Sequence, residues 1–181
     1  MSETLKLNST DGVEKAKALL ALREGHLGDN LLINGDFEKD EAVSGWTCSQ
    51  SGDFINASEE VIDGNKSALL RYMKRGTLRQ VVPVKPGDSL LLVLYCKTKG
   101  NAVPEVAVQW KDQNDKWLTQ DFSVPFSEKL KNGWMRASKV IDVPSNAGYL
   151  GLHLIMLSPE ASVENMCYFD DIRLYNLNEK R

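Results

Sequence analysis

The sequence predicts an all-β fold, an antiparallel β-sandwich preceded by a short helical arm. From residue 30 onward apolar and polar residues alternate in short runs, as Val106, Val108 and Trp110 do with Glu105. This two-residue period is typical of a strand with one buried face. Turn signals separate the runs and no helical pattern lies between them, which favours antiparallel sheets over a parallel sheet with crossover helices.

Residues 1–29 form the predicted arm, whose helix runs from Val13 to Glu24. Asp11 is placed as its N-cap, because an Asp side chain accepts hydrogen bonds from the free amides of a first turn. The stretch is rich in Ala, Leu, Lys and Glu, which are strong helix formers. Gly25 supplies a C-terminal stop.

The apolar residues of this helix predict a docking face. Val13, Ala16 and Leu20 share one side of the helix, with Leu19 beside them. A helix of this length is marginal in water by itself, so it needs a partner surface. That surface is either the chain's own sandwich or another subunit, and we expect other protein subunits to hold residues 1–29 in an oligomer or larger assembly.

Several runs after the arm predict core strands of a domain spanning residues 30–176, with a tail at residues 177–181. Ser89–Thr98 is a long, continuously apolar strand of the kind buried at the centre of a sandwich. Two further runs alternate regularly and predict strands with one buried face, namely Leu150, Leu152, Leu154 and Met156, and Tyr168, Asp170, Ile172 and Leu174.

Composition and charge exclude several classes of protein. The chain of 181 residues carries a net charge of −3 and has no run rich in Lys or Arg, so nucleic acid is not an expected partner. No apolar stretch is long enough to cross a membrane, and the N-terminus lacks a secretory pattern. Cys48, Cys96 and Cys167 are odd in number and widely spaced, which predicts buried thiols and favours synthesis in a cytoplasm.

Four motifs follow one another along the chain. They are residues 30–38 with Gly45-Trp46, the Pro86-Gly87 turn before a long apolar strand, Gly133-Trp134 before a strand closed by Val143-Pro144, and residues 168–174. In this order they resemble carbohydrate-binding modules of the family 4/9 type. The resemblance covers residues 30–176 and implies a jelly-roll sandwich of the galactose-binding-like group. The arm has no counterpart in it.

The same resemblance implies a structural calcium ion between the first and last strands. It places Glu38 and Asp170 as ligands, with Lys66 of the turn at residues 63–66 and Asp171 in the same set. Calcium suits such an edge, because it takes six to eight oxygen ligands that include backbone carbonyls.

Asp170 adds an argument from the residues themselves. It shares the parity of Ile172 and Leu174, which predicts that its side chain points inward. A buried carboxylate is costly unless it is paired or binds a metal. The alternative to calcium is that Asp170 caps backbone amides or pairs with Arg173 or Lys66.

Catalytic signals are weak. His26 in the arm and His153 on a predicted strand have neither the spacing of a metal site nor a neighbouring nucleophile motif. Nothing singles out a glycosidase pair among the 25 Asp and Glu residues. The sequence therefore predicts a protein that is not an enzyme.

A sugar site needs an aromatic ring that does not serve the core. Three of the four tryptophans occupy packing positions, whereas Trp117 follows the polar turn at residues 112–115. We expect Trp117 to bind a sugar, with Gln109, Tyr72 and Arg71 as further ligand-binding residues. The alternative for Trp117 is cross-strand packing.

These observations predict a structural or binding module. The first hypothesis is a virion protein made in the host cytoplasm, a decoration or attachment module of a phage capsid or tail. Its arm would contact other subunits and its jelly roll would touch glycans. The alternative is a secreted carbohydrate-binding module that accompanies a polysaccharide-degrading enzyme.

Overall fold

The structure of the chain is a computed structural model that describes residues 3–41, 43–49 and 51–179. Residues 1 and 2 of the predicted arm and residues 180 and 181 of the predicted tail lie outside the described residues. In chain order the elements are α1 Glu3–Arg23, β1 Thr47–Ser49, β2 Asp53–Ala57, β3 Ser67–Arg71, β4 Arg75–Pro83, β5 Ser89–Lys99, β6 Val103–Lys111, β7 Trp117–Ser123, β8 Glu128–Lys129, a 3-10 helix Lys131–Gly133, β9 Met135–Asp142, β10 Tyr149–Leu157 and β11 Met166–Asn176.

The strands form two facing antiparallel sheets, which confirms the predicted sandwich. One sheet has five strands in the order β1-β4-β10-β6-β7, and the other has six in the order β2-β3-β11-β5-β9-β8. Strands that are distant in sequence are neighbours in both sheets, as β10 is of β4 and β11 is of β3. The result is a jelly-roll β-sandwich with an N-terminal helix.

The core lies between the sheets and follows the predicted parity. Leu150, Leu152 and Leu154 of β10 are fully buried there, opposite the six-stranded sheet. The continuous apolar run of β5 has a different cause, because both faces of that strand are covered. Leu92 faces the core, whereas Leu91 lies on the outer face beneath α1.

Helix α1 begins earlier than predicted. It spans Glu3–Arg23, so Asp11 lies within the helix and the predicted N-cap is wrong. Gly12 costs about 1 kcal/mol relative to Ala inside a helix, which is too little to end one that continues on both sides. The predicted C-terminal stop is confirmed. The Gly25 amide donates to the carbonyl of Leu22 and the His26 amide donates to that of Ala21, which together form a Schellman motif.

The helix packs on its own chain, which is one of the two surfaces that the sequence left open, and contacts of the arm with other subunits stay a prediction. Ala18 is buried against Leu91 and Val93 of the six-stranded sheet. Of the predicted docking face, Leu19 packs on this sheet, whereas Val13 and Leu20 are 52% and 50% exposed. The small side chain at position 18 lets the helix approach the sheet closely. No helix in the described part of the chain is long and apolar enough to span a membrane.

A β-bulge in β11 changes the predicted orientation of Asp170. The pairing with β5 shifts between Asp170 and Arg173, and Asp171 has a φ of 50°. Phe169 and Ile172 both point into the core, so Asp170 does not share the inward parity of Ile172. Asp170 is nevertheless fully buried, because the loop before β3 covers it from outside the sheet.

Two of the three predicted buried thiols are confirmed. Cys96 and Cys167 are buried in the core, whereas Cys48 is exposed and its predicted burial is wrong. Cys48 lies on β1, a three-residue strand at the edge of the five-stranded sheet. A strand this short at an edge lacks the neighbours that would cover its side chains.

Candidate functional site

The two sheets differ in what lies on their outer faces. Helix α1 packs on the outer face of the six-stranded sheet. The outer face of the five-stranded sheet, called here the Trp117 face, carries the exposed Trp117 and the half-buried Arg79, Gln109, Tyr149 and His153. Adjacent strands in antiparallel register bring these side chains together.

Trp117 is the ring that the Trp117 face presents to solvent, with 42% of the residue exposed. It lies on the edge strand β7, yet its six-membered ring reaches across β6 to Gly151 on β10. A Cβ atom at position 151 would lie 2.9 Å from the ring carbon Cη2. The absence of a side chain at Gly151 therefore allows the indole to rest on the sheet.

Replacing Gly151 with alanine is expected to displace this ring. The obstructing atoms belong to the tip of a side chain, so the fold should lose no more than about 1–3 kcal/mol. Acrylamide quenching of tryptophan fluorescence measures the change, because Trp46, Trp110 and Trp134 are buried. We expect acrylamide to quench Gly151→Ala more strongly than wild type, and to quench Gly12→Ala as it does wild type. Equal quenching in both variants would mean that Gly151 does not position the ring.

Two cationic side chains lie near the Trp117 ring. The Lys111 ammonium is 4.6 Å from the ring centre, and the central carbon of the Arg79 guanidinium is 5.8 Å from it. Both distances allow a cation–π interaction. Lys111 is also paired with Asp115 at 2.7 Å. No carboxylate among the described residues forms an ion pair with Arg79.

His153 lies beside the same ring, with its centre 5.8 Å from that of Trp117. Its Nε2 atom is buried and has no hydrogen-bond partner among the described residues. Burial lowers the pKa of His153, and the charges of Arg79 and Arg75 lower it further. The imidazole is therefore neutral at pH 7 and lies directly opposite Arg79 in the β4–β10 register.

The structure brings together only some of the predicted ligand-binding residues. Trp117 and Gln109 both lie on the Trp117 face. Tyr72 and Arg71 lie at the end of β3 in the other sheet, where Arg71 pairs with Asp53 at 2.9 Å. Sequence reasoning missed Arg79, because a single arginine on a strand gives no signal until the register places it beside the ring.

The predicted metal-ligating residues meet around one loop. The Glu38 carboxylate accepts hydrogen bonds from the amides of Asn65 and Lys66 at 2.7 and 2.8 Å, and these bonds lower its pKa. The Lys66 ammonium donates to the carbonyl of Glu38 at 3.0 Å and lies 3.0 Å from the Asp40 carboxylate. Gly64 makes the approach of Glu38 possible, because a Cβ atom there would overlap that carboxylate.

Asp170 approaches the same loop from the other side. Its carboxylate accepts from the amides of Ile62 and Asp63 at 2.8 and 3.4 Å, and from the amide of Asp171 at 2.7 Å. Burial raises the pKa of Asp170 to about 7, and the three amide hydrogen bonds oppose that rise. The Asp171 carboxylate forms an ion pair with Arg173.

These residues do not fit a calcium centre well. Amide donors already occupy the Glu38 and Asp170 carboxylates, and the Lys66 ammonium supplies a positive charge to the carbonyls of residues 38 and 39. Within residues 3–41, 43–49 and 51–179, no three His, Cys, Asp or Glu side chains are placed to hold one metal ion. Bound calcium stays a prediction of the sequence.

Thermal unfolding with and without a chelator tests that prediction. From the hydrogen bonds at Glu38 and Asp170 we expect EDTA to leave the midpoint unchanged, because backbone amides already satisfy both carboxylates and the Lys66 ammonium donates to the Glu38 carbonyl. A lower midpoint in EDTA that calcium restores, and magnesium does not, would instead establish the calcium site, since a ligand that binds only the folded state stabilises it.

The sandwich is a jelly roll, and solved structures of carbohydrate-binding modules share this fold. A family 16 carbohydrate-binding module is 25% identical, with a TM-score of 0.60, and the match covers 80% of this chain and 99% of that module. The CBM22-1 xylan-binding domain of Paenibacillus barcinonensis Xyn10C is 18% identical with a TM-score of 0.60, over 84% of this chain and 97% of that domain.

A viral protein shares the fold as well. The enzymatically active domain of tailspike protein 4 of bacteriophage CBA120 is 17% identical with a TM-score of 0.64. The match covers 82% of this chain but only 21% of the tailspike chain. No protein-family model and no curated protein sequence matches the chain. The likenesses establish the jelly-roll fold, and the family 4/9 type stays a prediction.

Proposed function

We propose that this protein is a non-catalytic glycan-binding module whose binding surface is the Trp117 face. The observation that carries the proposal is the exposed indole of Trp117, which rests on Gly151 at the outer face of a sheet. The fold likeness to carbohydrate-binding modules, one of them a xylan-binding domain, supports it.

The chemistry of the Trp117 face suits a sugar ring. The C–H groups of a pyranose present an apolar surface that can pack on an indole, while its hydroxyls need hydrogen-bonding partners. Gln109 lies opposite Gly151 in the register and Tyr149 lies opposite Lys111. Their amide and phenol groups can donate and accept hydrogen bonds with hydroxyls.

Affinity electrophoresis of the full chain through gels that contain different polysaccharides tests the proposal. We expect at least one polysaccharide to retard the wild-type chain. Trp117→Ala should lose that retardation, because the stacking surface is gone; one stacked ring is worth about 1 kcal/mol or more. Tyr72→Ala is the matched control, since Tyr72 is a 55% exposed aromatic residue that directly follows β3, outside the Trp117 face.

The two variants also separate the candidate sites. Retardation lost in Tyr72→Ala and kept in Trp117→Ala would move the site to Tyr72 and Arg71 at the end of β3. Absence of retardation by every polysaccharide, with the wild-type chain folded by circular dichroism, would contradict glycan binding altogether.

A virion decoration or attachment protein is a second candidate. It is favoured by the exposed apolar residues Val13 and Leu20 of α1, and by the fold likeness to a bacteriophage tailspike. In this candidate the two side chains would contact other protein subunits while the Trp117 face binds glycans of the host. The docking of α1 on its own sheet leaves less of the arm for such contacts than the sequence predicts.

Light scattering after size exclusion tests this second candidate on the full chain. An oligomer that becomes a monomer when Val13 and Leu20 are both changed to serine would support assembly through α1. Both residues are exposed, so the double variant should fold normally. A monomeric wild-type chain at high protein concentration would contradict assembly through this helix.

A further inference from the structure

Charged side chains on the Trp117 face divide into a basic side on β4 and a mixed side on β6 and β7, where Lys111 is paired with Asp115. Arg75 and Arg79 lie on β4, whereas Glu105 and Asp121 lie on β6 and β7. Strand β10 separates the two sides. Trp117 reaches from β7 to β10, so its ring ends next to the basic side of the face.

Arg79 has the chemistry of an anion-binding residue with no anion beside it. It is half-buried, its guanidinium lies 5.8 Å from the Trp117 ring centre, and no described carboxylate pairs with it. A partly buried charge without a counter-charge is costly, and a ligand anion would offset that cost. The planar guanidinium presents parallel N–H groups that match a carboxylate or a sulfate. Lys111, by contrast, already has Asp115 as its partner.

His153 lies opposite Arg79 in the register and offers it no counter-charge. Its Nε2 atom is buried without a hydrogen-bond partner among the described residues, next to Gly151. The whole chain carries a net charge of −3, so the basic side is a local feature and not part of a generally cationic surface.

We infer that the ligand of the Trp117 face is an anionic polysaccharide that bears carboxylate or sulfate groups. Arg79 pairs with the anionic group while Trp117 stacks on the neighbouring sugar ring. This inference rests on the proposed function and narrows it to a class of ligand. It also gives Arg79 and Trp117 separate roles, because Arg79 binds the anionic group and Trp117 binds the sugar ring.

Two matched pairs of polysaccharides test the inference with the full chain. Polygalacturonate is compared with its methyl ester, and dextran sulfate is compared with dextran, so that each pair differs in charge and shares a backbone. We expect affinity for one anionic member to exceed that for its neutral partner by about tenfold or more, the effect of a charge-assisted hydrogen bond. The better pair identifies the anion as carboxylate or sulfate.

Variants assign the effect to its residue. Arg79→Gln should lose about tenfold in affinity for the anionic member and little for the neutral one. Lys129→Gln is the control, because it removes the same charge from an exposed residue on the edge strand β8 of the other sheet. Trp117→Ala should weaken binding to both members of a pair.

The outcomes separate this inference from the function on which it rests. Equal binding of neutral and anionic members that Trp117→Ala abolishes and Arg79→Gln spares would overturn the anionic ligand and keep glycan binding. Equal losses in Arg79→Gln and Lys129→Gln would also overturn it, since they would reflect net charge alone. Binding of no polysaccharide at all would overturn both.

Discussion

Replacing Asp170 with alanine is expected to lower the free energy of unfolding by about 3 kcal/mol or more. The Asp170 carboxylate is fully buried and accepts from the amides of Ile62, Asp63 and Asp171. Alanine leaves these donors without an acceptor, and each unsatisfied buried group costs about 1–3 kcal/mol. Urea denaturation followed by circular dichroism measures the loss. A loss below about 1 kcal/mol would mean that water reaches the amides and that Asp170 does not hold the loop.

Asp170→Asn separates the hydrogen bonds from the charge. The amide side chain keeps an acceptor oxygen, so this variant should stay closer to wild type than Asp170→Ala at pH 7. Burial raises the folded-state pKa of Asp170 to about 7 from an ordinary value of 3.8. Between these values the folded chain binds the proton more tightly than the unfolded chain does. The stability that Asp170 contributes is therefore fully present below about pH 4 and is lost as the pH rises through 7.

This pH dependence is itself measurable. From pH 4 to pH 8 we expect wild type to lose a few kcal/mol of unfolding free energy relative to Asp170→Asn. The loss is about 1.4 kcal/mol for each unit by which the folded-state pKa exceeds the unfolded-state pKa. A constant difference over that range would contradict a raised pKa. It would point instead to a cation that keeps the carboxylate charged, and the chelator experiment would then be expected to show calcium.

Gly35→Ala is expected to be the second severe substitution. A Cβ atom at position 35 would overlap the backbone carbonyl oxygen of Ile172. The Ile172 amide donates to the Gly35 carbonyl at 2.8 Å, and the Asn30 side chain donates to the Ile172 carbonyl at 2.9 Å. The overlap is with backbone, so the segment must move away from β11 and lose these bonds. We expect a loss of about 3 kcal/mol or more.

Gly12→Ala is the matched control for Gly35→Ala. A Cβ atom at position 12 meets nothing within 4 Å, and the residue lies inside α1. Alanine should therefore stabilise the chain by up to about 1 kcal/mol. Urea denaturation of both variants gives the comparison. A Gly35→Ala protein as stable as Gly12→Ala would show that residues 30–38 are not held against β11 as described.

Strand positions and the two-sheet fold could be predicted because each core strand carries its own pattern. The alternation in β10 marks the residues that face the core, and the unbroken run in β5 marks a strand covered on both faces. Sequence alone could not say what covers the second face of β5. Ala18 and Leu27 are buried there, whereas Val13 and Leu20 are equally apolar in sequence and are exposed.

The candidate site was less predictable, because it depends on register and on a local irregularity. The residues around Asp171 carry no sequence signal for the bulge that reverses the parity of β11. The predicted orientation of Asp170 was therefore wrong, although its predicted burial is confirmed. Trp117 could be selected because it follows a polar turn. The contacts that give its ring a role come from Gly151 and Arg79, which lie far away in sequence and are brought near by strand pairing.

The indole N–H signals of the tryptophans test the central claim most directly. The chain has four tryptophans, and a ¹⁵N-labelled sample gives one such signal for each. Titration with the polysaccharide that binds in the gel assay should shift the signal of Trp117, assigned from Trp117→Phe, and leave the signals of the buried Trp46, Trp110 and Trp134 in place. Saturating binding with the Trp117 signal unmoved would contradict binding at the Trp117 face.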